Sequence, residues 1–337
     1  MHAPSFSVVI PMFNRAAKIG RALQSCLRQE NQDFEIVVVD DGSSDGSVEA
    51  VKEYGDPRIR LFLHDRNQGV CPARNTGVAQ ARGEWVLFLD SDDEFLPGAL
   101  AAIEKHVRRA PAYLNRFAFR YELDTGGFSP SPPFQDSVWD YVGYLNWMER
   151  AEGSTDFFNC VRRSTFERVR FPAGRAYETL YHLDFAWQFK TRCAMQVVAK
   201  VNSDCANRSC LHSADDRRRD ALDCAESLDA LLGRHGQALR DYAPKRYRTI
   251  LKMCASMHAC AGHRLKSCVL NLNYLRRQPF SPEGWLQLGL GLLGPGVYTW
   301  AATHKNRVAL AKHGGRVADC GLRIADCGLE KKADPLF

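Results

Sequence analysis

The sequence predicts an α/β fold: a mostly parallel sheet flanked by helices on both faces, followed by a helical C-terminal extension. Three observations carry that expectation. Nearly unbroken apolar runs recur at Ser7-Val8-Val9-Ile10, Phe34-Glu35-Ile36-Val37-Val38-Val39 and Trp85-Val86-Leu87-Phe88-Leu89, as strands buried on both faces require. Helical patterns separate the runs. Pro11, Asp40-Asp41 and Asp90-Ser91-Asp92-Asp93 stand where the runs end, and such sheets bind ligands beyond the carboxyl ends of their strands.

The elements follow in order. After Asn14, Ala16, Ile19, Leu23, Cys26 and Leu27 recur at helical spacing and predict an amphipathic helix ending near Gln29. Residues 47–54 read as a short helix and 59–63 as a short strand. Pro72 opens a helix that Gly83 closes, and Pro97 opens another over 98–109. Further on, 113–123 reads as a strand, 125–136 as a Pro/Ser-rich loop, 139–148 as an aromatic-rich helix, and 157–161 and 197–201 as later strands. From about Ala214 the pattern is helical, and Ala-Asp-Cys-Gly-Leu at 318–322 repeats at 325–329. Two copies are too few for a solenoid. The expected division is 1–212, with a nucleotide-binding half at 1–95 and an acceptor half at 96–212, then a helical region at 213–337.

Composition narrows the class. With 45% hydrophobic and 25% charged residues in 337, the chain is ordinary globular material. Its formal net charge of +6 is modest and its Lys/Arg are scattered. That suits anionic small molecules or an acidic membrane surface and excludes nucleic acid, which needs a basic stripe interleaved with aromatics. Twelve cysteines contain no C-x-x-C pair. With no signal peptide before the first strand, they read as buried thiols of a reducing cytoplasm.

Asp90 and Asp92, two apart at the end of a buried strand, suit a hard divalent cation and its phosphate ligand. A strand-capping acidic turn is the plainer alternative. Around this pair stand Pro11 with Asn14, Asp40-Asp41-Gly42-Ser43-Ser44-Asp45, Asn67-x-Gly69 and Ala73-Arg74-Asn75-x-Gly77. The ordered set resembles the family 2 glycosyltransferases, which have the nucleotide-sugar-binding GT-A fold. The resemblance is close over residues 5–95, looser to 212 and faint beyond.

The resemblance implies inverting, metal-dependent transfer of a sugar from a nucleotide-diphosphate donor, UDP-linked before GDP- or dTDP-linked, to an acceptor hydroxyl in cell-surface polysaccharide or glycolipid synthesis. It implies that Asp92, with Asp90, holds Mn2+ or Mg2+, and that Asp90 can instead hold the ribose. Asp41 would accept a hydrogen bond from the base, while Pro11 and Asn14 line the same edge. Arg74 would stand near the phosphates, and His212 near the metal or diphosphate. A carboxylate must also take the acceptor proton. Asp184 is the first candidate for that base and Glu178 the second, because Leu183-Asp184 replaces the family's acidic pair. An N-cap role for Asp184 is the alternative. The implied partners are a nucleotide sugar and a glycan or glycolipid acceptor. Peripheral membrane contact through the C-terminal region, a place at the inner face of the membrane, and a homo-oligomer stay open.

Two other classes stand beside this one. A nucleotidyltransferase would need a Gly-rich phosphate loop with a basic residue, which Pro11-Met12-Phe13-Asn14 lacks. A non-catalytic nucleotide-sugar-binding module would not need intact acidic residues. Several patterns are set aside. Gly289-x-Gly291-x-x-Gly294 runs into Pro295 instead of a helix. Cys254, His258, Cys260, His263 and Cys268 lack paired zinc-ligand spacing. The Asn207-Arg208-Ser209 sequon has no secretory route. The apolar stretch 285–303, followed by Lys305, Arg307, Lys312 and Arg316, reads as packing or as an interfacial segment. Trp139, Tyr141, Tyr144, Trp147 and Trp187 read as core before sugar platforms.

Overall fold

The computed structural model describes residues 4–130, 133–151, 156–173, 178–202 and 214–298. At its centre lie β1 (Phe6–Met12) and β2 (Phe34–Asp40), in which every residue is buried. They pair in parallel from Phe6 opposite Phe34 to Met12 opposite Asp40, so both strands end level. β3 (Ile59–Leu63) joins β2, and β4 (Trp85–Phe88) joins β1, again in parallel. The strand ends therefore share one edge.

Alternate residues of these strands feed two cores, as a pleat requires. Phe6, Val8 and Ile10 pack with Ile19, Leu23 and Cys26 of α1 (Ile19–Leu27) and with Leu100 and Ile103 of α4 (Ala99–Val107). Val9, Val37 and Val39 pack on the other side with Cys71 and Ala73 of α3 (Val70–Gln80). Gly77 permits that approach: a Cβ there would stand 2.3 Å from Val9 Cγ1. The short helix α2 (Ser47–Lys52) links β2 to β3.

The sheet as a whole is mixed: its three longest ladders are parallel, as expected, and shorter antiparallel ladders extend them. Its order is β3-β2-β1-β4-β9-β6-β10-β5, counting β5 (Glu94–Phe95), β6 (Leu114–Leu123), β9 (Phe158–Arg162) and β10 (Lys190–Val201). β9 runs antiparallel to both β4 and β6, and β5 antiparallel to β10, while β6 and β10 are parallel. An apolar run marks a buried strand but carries no direction. β10 also begins seven residues earlier than its apolar pattern, because bulges between Cys193 and Ala199 break the alternation.

Two further boundaries shift. Trp139 ends a strand, β8 (Ser137–Trp139), paired with β10, and helix α5 (Tyr141–Arg150) starts after it. Asp140 sets that start by accepting a hydrogen bond from Gly143 N at 2.8 Å. Helix α6 (Thr179–Gln188) begins five residues before Asp184, which lies in its interior. Trp139, Tyr144 and Trp147 stack within a buried cluster with Phe134 and Phe157, whereas Trp187 is exposed.

The chain forms two compact units, 1–205 and 206–337. In the second, α7 (Ala214–Tyr242), α8 (Pro244–Cys260), α9 (Arg264–Leu275) and α10 (Pro282–Leu293) follow one another. Pro244 and Pro282 occupy first-turn positions, where no N–H is needed. Eight cysteines of the described residues are free thiols, seven of them buried. The Ala-Asp-Cys-Gly-Leu repeat, the 207–209 sequon and the basic residues after 303 lie outside the described residues.

Candidate active site

The edge built by the ends of β1 and β2 is tied by backbone and short polar side chains. Asn14, with φ of 51°, turns the chain after β1, a conformation asparagine tolerates better than most residues. Its N–H donates to Ser43 Oγ at 2.8 Å, and its Oδ1 accepts from Ser44 N at 2.9 Å. Asp40 accepts from Ser43 N at 3.0 Å and so forms the turn. Gly42, at φ of 76°, has no room for a Cβ against the Arg66–Asn67 backbone. Pro11 is buried in β1 opposite Val39.

Asp41 is buried and its carboxylate is occupied. Oδ2 accepts from Gly69 N at 2.7 Å and Gln68 N at 3.1 Å; Oδ1 accepts from Gln68 N at 3.0 Å and meets His64 Nδ1 at 2.7 Å. His64 is held from behind by Thr76 Oγ1 at 2.9 Å. Three groups engage the carboxylate, the Gln68 N–H bridging both oxygens, and take up most of its acceptor capacity. The structure thus gives Asp41 the task of fastening the 67–69 loop, and a direct base contact would compete with these bonds.

Arg74 joins the two halves of the first unit. It is buried on α3, and its Nη2 donates to Asp90 Oδ1 at 3.0 Å while Nη1 pairs with Glu178 Oε2. Phe171 and Phe88 lie under its guanidinium, 5.5 and 5.9 Å from its carbon. Burial disfavours the charge, but Glu178 and Asp90 outweigh it and hold Arg74 protonated above its ordinary range. Asn75 beside it clamps Phe171 with two bonds, from Nδ2 to the carbonyl at 2.9 Å and from the Phe171 N–H to Oδ1 at 3.1 Å. The Arg74-Asn75 pair thus secures the segment leading to α6.

Three of the sequence candidates therefore meet: Asp90, Arg74 and Glu178. Asp184 does not join them. It lies six residues beyond Glu178 on α6, about 9 Å along the axis and about 240° around it. There, burial and then the Asp184 charge raise the pKa of Tyr141, on α5, to about 12. Glu178 occupies the N-cap position of α6 instead, with no side-chain capping bond. The N-cap alternative for Asp184 is excluded by its interior position.

Asp92 is buried, 3.8 Å from Arg15 Nε. Its carbonyl accepts from Arg21 Nη2 and from Asn202 Nδ2, the latter at 3.2 Å. Asp93 accepts from Asn202 N at 3.0 Å and so anchors the acidic turn to the end of β10. Asp90 is half exposed, and among the described residues Arg74 engages only Oδ1. An all-oxygen pair with one uncommitted carboxylate edge fits a hard cation. His212 lies outside the described residues.

Sequence reading missed Arg15, Arg21, His64 and Asn202. The first two follow Asn14 by one and seven residues, where a basic residue is the available signal. His64 and Asn202 carry none, because only the fold brings them to the acidic turns. In the second unit, Cys254 and His258 lie one turn apart on α8. Both face Asp229 of α7, with ligand atoms within 4.8 Å of one another. Lys266 already pairs with that aspartate.

Residues 7–170 match the family model for Glycosyl transferase family 2. Over 173 residues the chain is 34% identical to the GalNAc(5)-diNAcBac-PP-undecaprenol beta-1,3-glucosyltransferase of Campylobacter jejuni, covering 50% of this chain and 55% of that protein. It is 43% identical over 109 residues to the succinoglycan biosynthesis protein ExoO of Rhizobium meliloti, covering 32% of this chain and 30% of the relative. The chain thus spans about half or less of the length of these relatives. Staphylococcus aureus TarS 1–349, solved in complex with UDP-GlcNAc, shares the fold with a TM-score of 0.54. That match covers 82% of this chain and 92% of that one at 19% identity. Residues 7–170 thus carry a family 2 glycosyltransferase domain, with a GT-A fold.

Proposed function

We propose that the protein transfers a sugar, with inversion, from a nucleotide-diphosphate sugar to a hydroxyl of a glycan or glycolipid acceptor. A UDP-linked donor is favoured, and the reaction belongs to cell-surface polysaccharide or glycolipid synthesis at the cytoplasmic face of a membrane. The observation that carries the reading is the bridge from Asp90 through Arg74 to Glu178. It sets a donor-side and an acceptor-side carboxylate on one guanidinium, at the edge where β1, β2 and β4 end. The UDP-GlcNAc held by TarS and the lipid-linked substrate in the name of the C. jejuni relative agree with the donor and acceptor classes.

In this reading Glu178, not Asp184, is the base. Its carboxylate takes the acceptor hydroxyl proton as that oxygen attacks the anomeric carbon, and the bond from that carbon to the diphosphate oxygen breaks. Arg74 carries a permanent positive charge beside that bond and orients Glu178. Asp90 and Asp92 would hold Mn2+ or Mg2+, which supplies positive charge to the departing diphosphate. Asp41 shapes the nucleoside edge by fixing Gln68 and Gly69, while Pro11 and Asn14 line it.

A melting-temperature panel of UDP-, GDP- and dTDP-sugars, each with and without manganese, tests the reading. A ligand bound only by the folded state raises the melting temperature. A UDP-sugar should give the largest shift, dependent on manganese, and should release UDP when acceptor is added. A shift without any UDP release under every acceptor tried would identify a binding module instead.

A further inference from the structure

The α7–α8 hairpin of the second unit holds a cluster of ligating side chains that sugar transfer does not use. Asp229 lies about as far before the turn at Ala243 as Cys254 and His258 lie after it, so the three stand level on facing helices. Cys254 and His258 are one turn apart, the spacing that puts two side chains on one helix face. Both are buried, and Asp229 is partly exposed. Cys254 Sγ stands 3.5 Å from Asp229 Oδ1, and His258 Nε2 stands 3.0 Å from Asp229 Oδ2. One ligating atom from each residue lies within 4.8 Å of the other two. Tetrahedral zinc, with bonds of about 2.0–2.3 Å, sets its ligand atoms about 3.3–3.6 Å apart. Sequence spacing hides this set, because its third member comes from another helix.

Three features point to a metal cation. First, a cation already sits there: Lys266 Nζ, from α9, pairs with Asp229 Oδ2. Its side chain is half exposed and can swing into solvent without burying a charge. Second, a thiolate, a carboxylate and a neutral imidazole together cancel the charge of Zn2+, as a part-buried site requires. Third, His258 Nδ1 lies 3.2 Å from His263 Nδ1. With Nε2 on a metal, Nδ1 carries the ring proton and donates it to His263, the outer bond that fixes a ligating imidazole. His263 and Lys266 are exposed, which leaves a way in from water. Sulfur and imidazole beside a carboxylate select zinc over magnesium or manganese.

We propose that Asp229, Cys254 and His258 bind a zinc ion that clamps α7 to α8, with water as the fourth ligand. On binding, the Cys254 thiol gives its proton to solvent and its sulfur bonds the metal. The ring proton of His258 moves from Nε2 to Nδ1 and that of His263 from Nδ1 to Nε2, while Lys266 leaves Asp229 still protonated. A single proton is released in all. The site lies wholly in the second unit and does not depend on the transfer reaction.

Cobalt and zinc titrations of the full chain test it, because a thiolate ligand gives cobalt a near-ultraviolet charge-transfer band that the all-oxygen Asp90–Asp92 pair cannot. Wild type should show that band together with the visible spectrum of tetrahedral cobalt, and should lose both when zinc displaces the cobalt. It should keep about one zinc per chain after desalting. Cys254→Ser should abolish the band, and Asp229→Asn should weaken zinc binding by roughly a hundredfold or more. Lys266→Met removes the competing cation and should tighten zinc binding by about tenfold, which the loss of a merely structural ion pair would not do. Zinc should raise the melting temperature of wild type more than that of Cys254→Ser. Should Cys254→Ser misfold, the wild-type cobalt spectrum and the surface variant Lys266→Met decide. The proposal is overturned if wild type shows no thiolate–cobalt band, if folded Cys254→Ser retains it, or if Lys266→Met binds zinc no more tightly than wild type.

Discussion

Asp41 and Arg116 are both buried charges in the first unit, and they are held in opposite ways. Asp41 sits at the nucleotide edge with its carboxylate bound by two backbone N–H groups and His64. Arg116, on β6 in the acceptor half, has no exposed surface and, among the described residues, no carboxylate partner. Its Nε donates to Thr191 Oγ1 at 2.9 Å, Nη1 meets His182 Nδ1 at 3.3 Å, and Nη2 has no hydrogen-bond partner. The rings of Phe185, Phe157 and Tyr144 surround it, at 4.3, 5.4 and 5.9 Å. Burial alone lowers its pKa. The nucleotide edge is thus fixed by directed bonds, the acceptor half by aromatic packing around a cation that no carboxylate of the described residues meets.

Substitutions should separate the two. Asp41→Ala leaves the part-buried Gln68 N–H and the buried Gly69 N–H without their charged acceptor and should cost about 2 kcal/mol of stability. Because Asp41 acts through the loop, affinity for UDP and GDP should fall together; calorimetry showing loss for UDP alone would restore a direct base contact. Burial and the Arg116 and Arg74 cations push the His182 pKa well below its ordinary value. Its folded form therefore resists a proton that the unfolded chain accepts. Stability contributed by neutral His182 is intact above about pH 6.5 and falls as pH drops below it, by at most about 1.4 kcal/mol per pH unit. His182→Gln should flatten the melting-temperature profile between pH 7 and 5, and an unchanged profile would place the titration elsewhere. Arg116→Met removes a charge and leaves no carboxylate of the described residues unpaired. It should shift stability by only about 1 kcal/mol, in either direction. A loss as large as that of Asp41→Ala would erase the contrast.

That contrast also explains what was legible in the sequence. Asn14, the Asp40–Ser44 turn and Gly77 serve backbone geometry within a few residues, or one fixed helix–strand approach, so their residue types show. The acceptor half offered no such signal. β9 enters the sheet antiparallel, β10 hides its start behind bulges, and α6 begins one and a half turns before its aromatic residues suggest. Its charges are recognised only once Arg116 is seen among rings from three elements. The two candidates for the base differ in the same way. Asp184 carries the more familiar residue type, whereas Glu178 is singled out by its ion pair with Arg74, a partner more than a hundred residues away in sequence.

Glu178→Gln and Asp184→Asn, measured side by side for sugar transfer and donor binding, test the central claim most directly. The account predicts that Glu178→Gln binds the nucleotide sugar but loses transfer by about a hundredfold or more, the scale of a general base. Asp184→Asn should transfer at close to the wild-type rate. Retained transfer in Glu178→Gln, with transfer abolished in a folded Asp184→Asn, would contradict it and return the base to α6's interior.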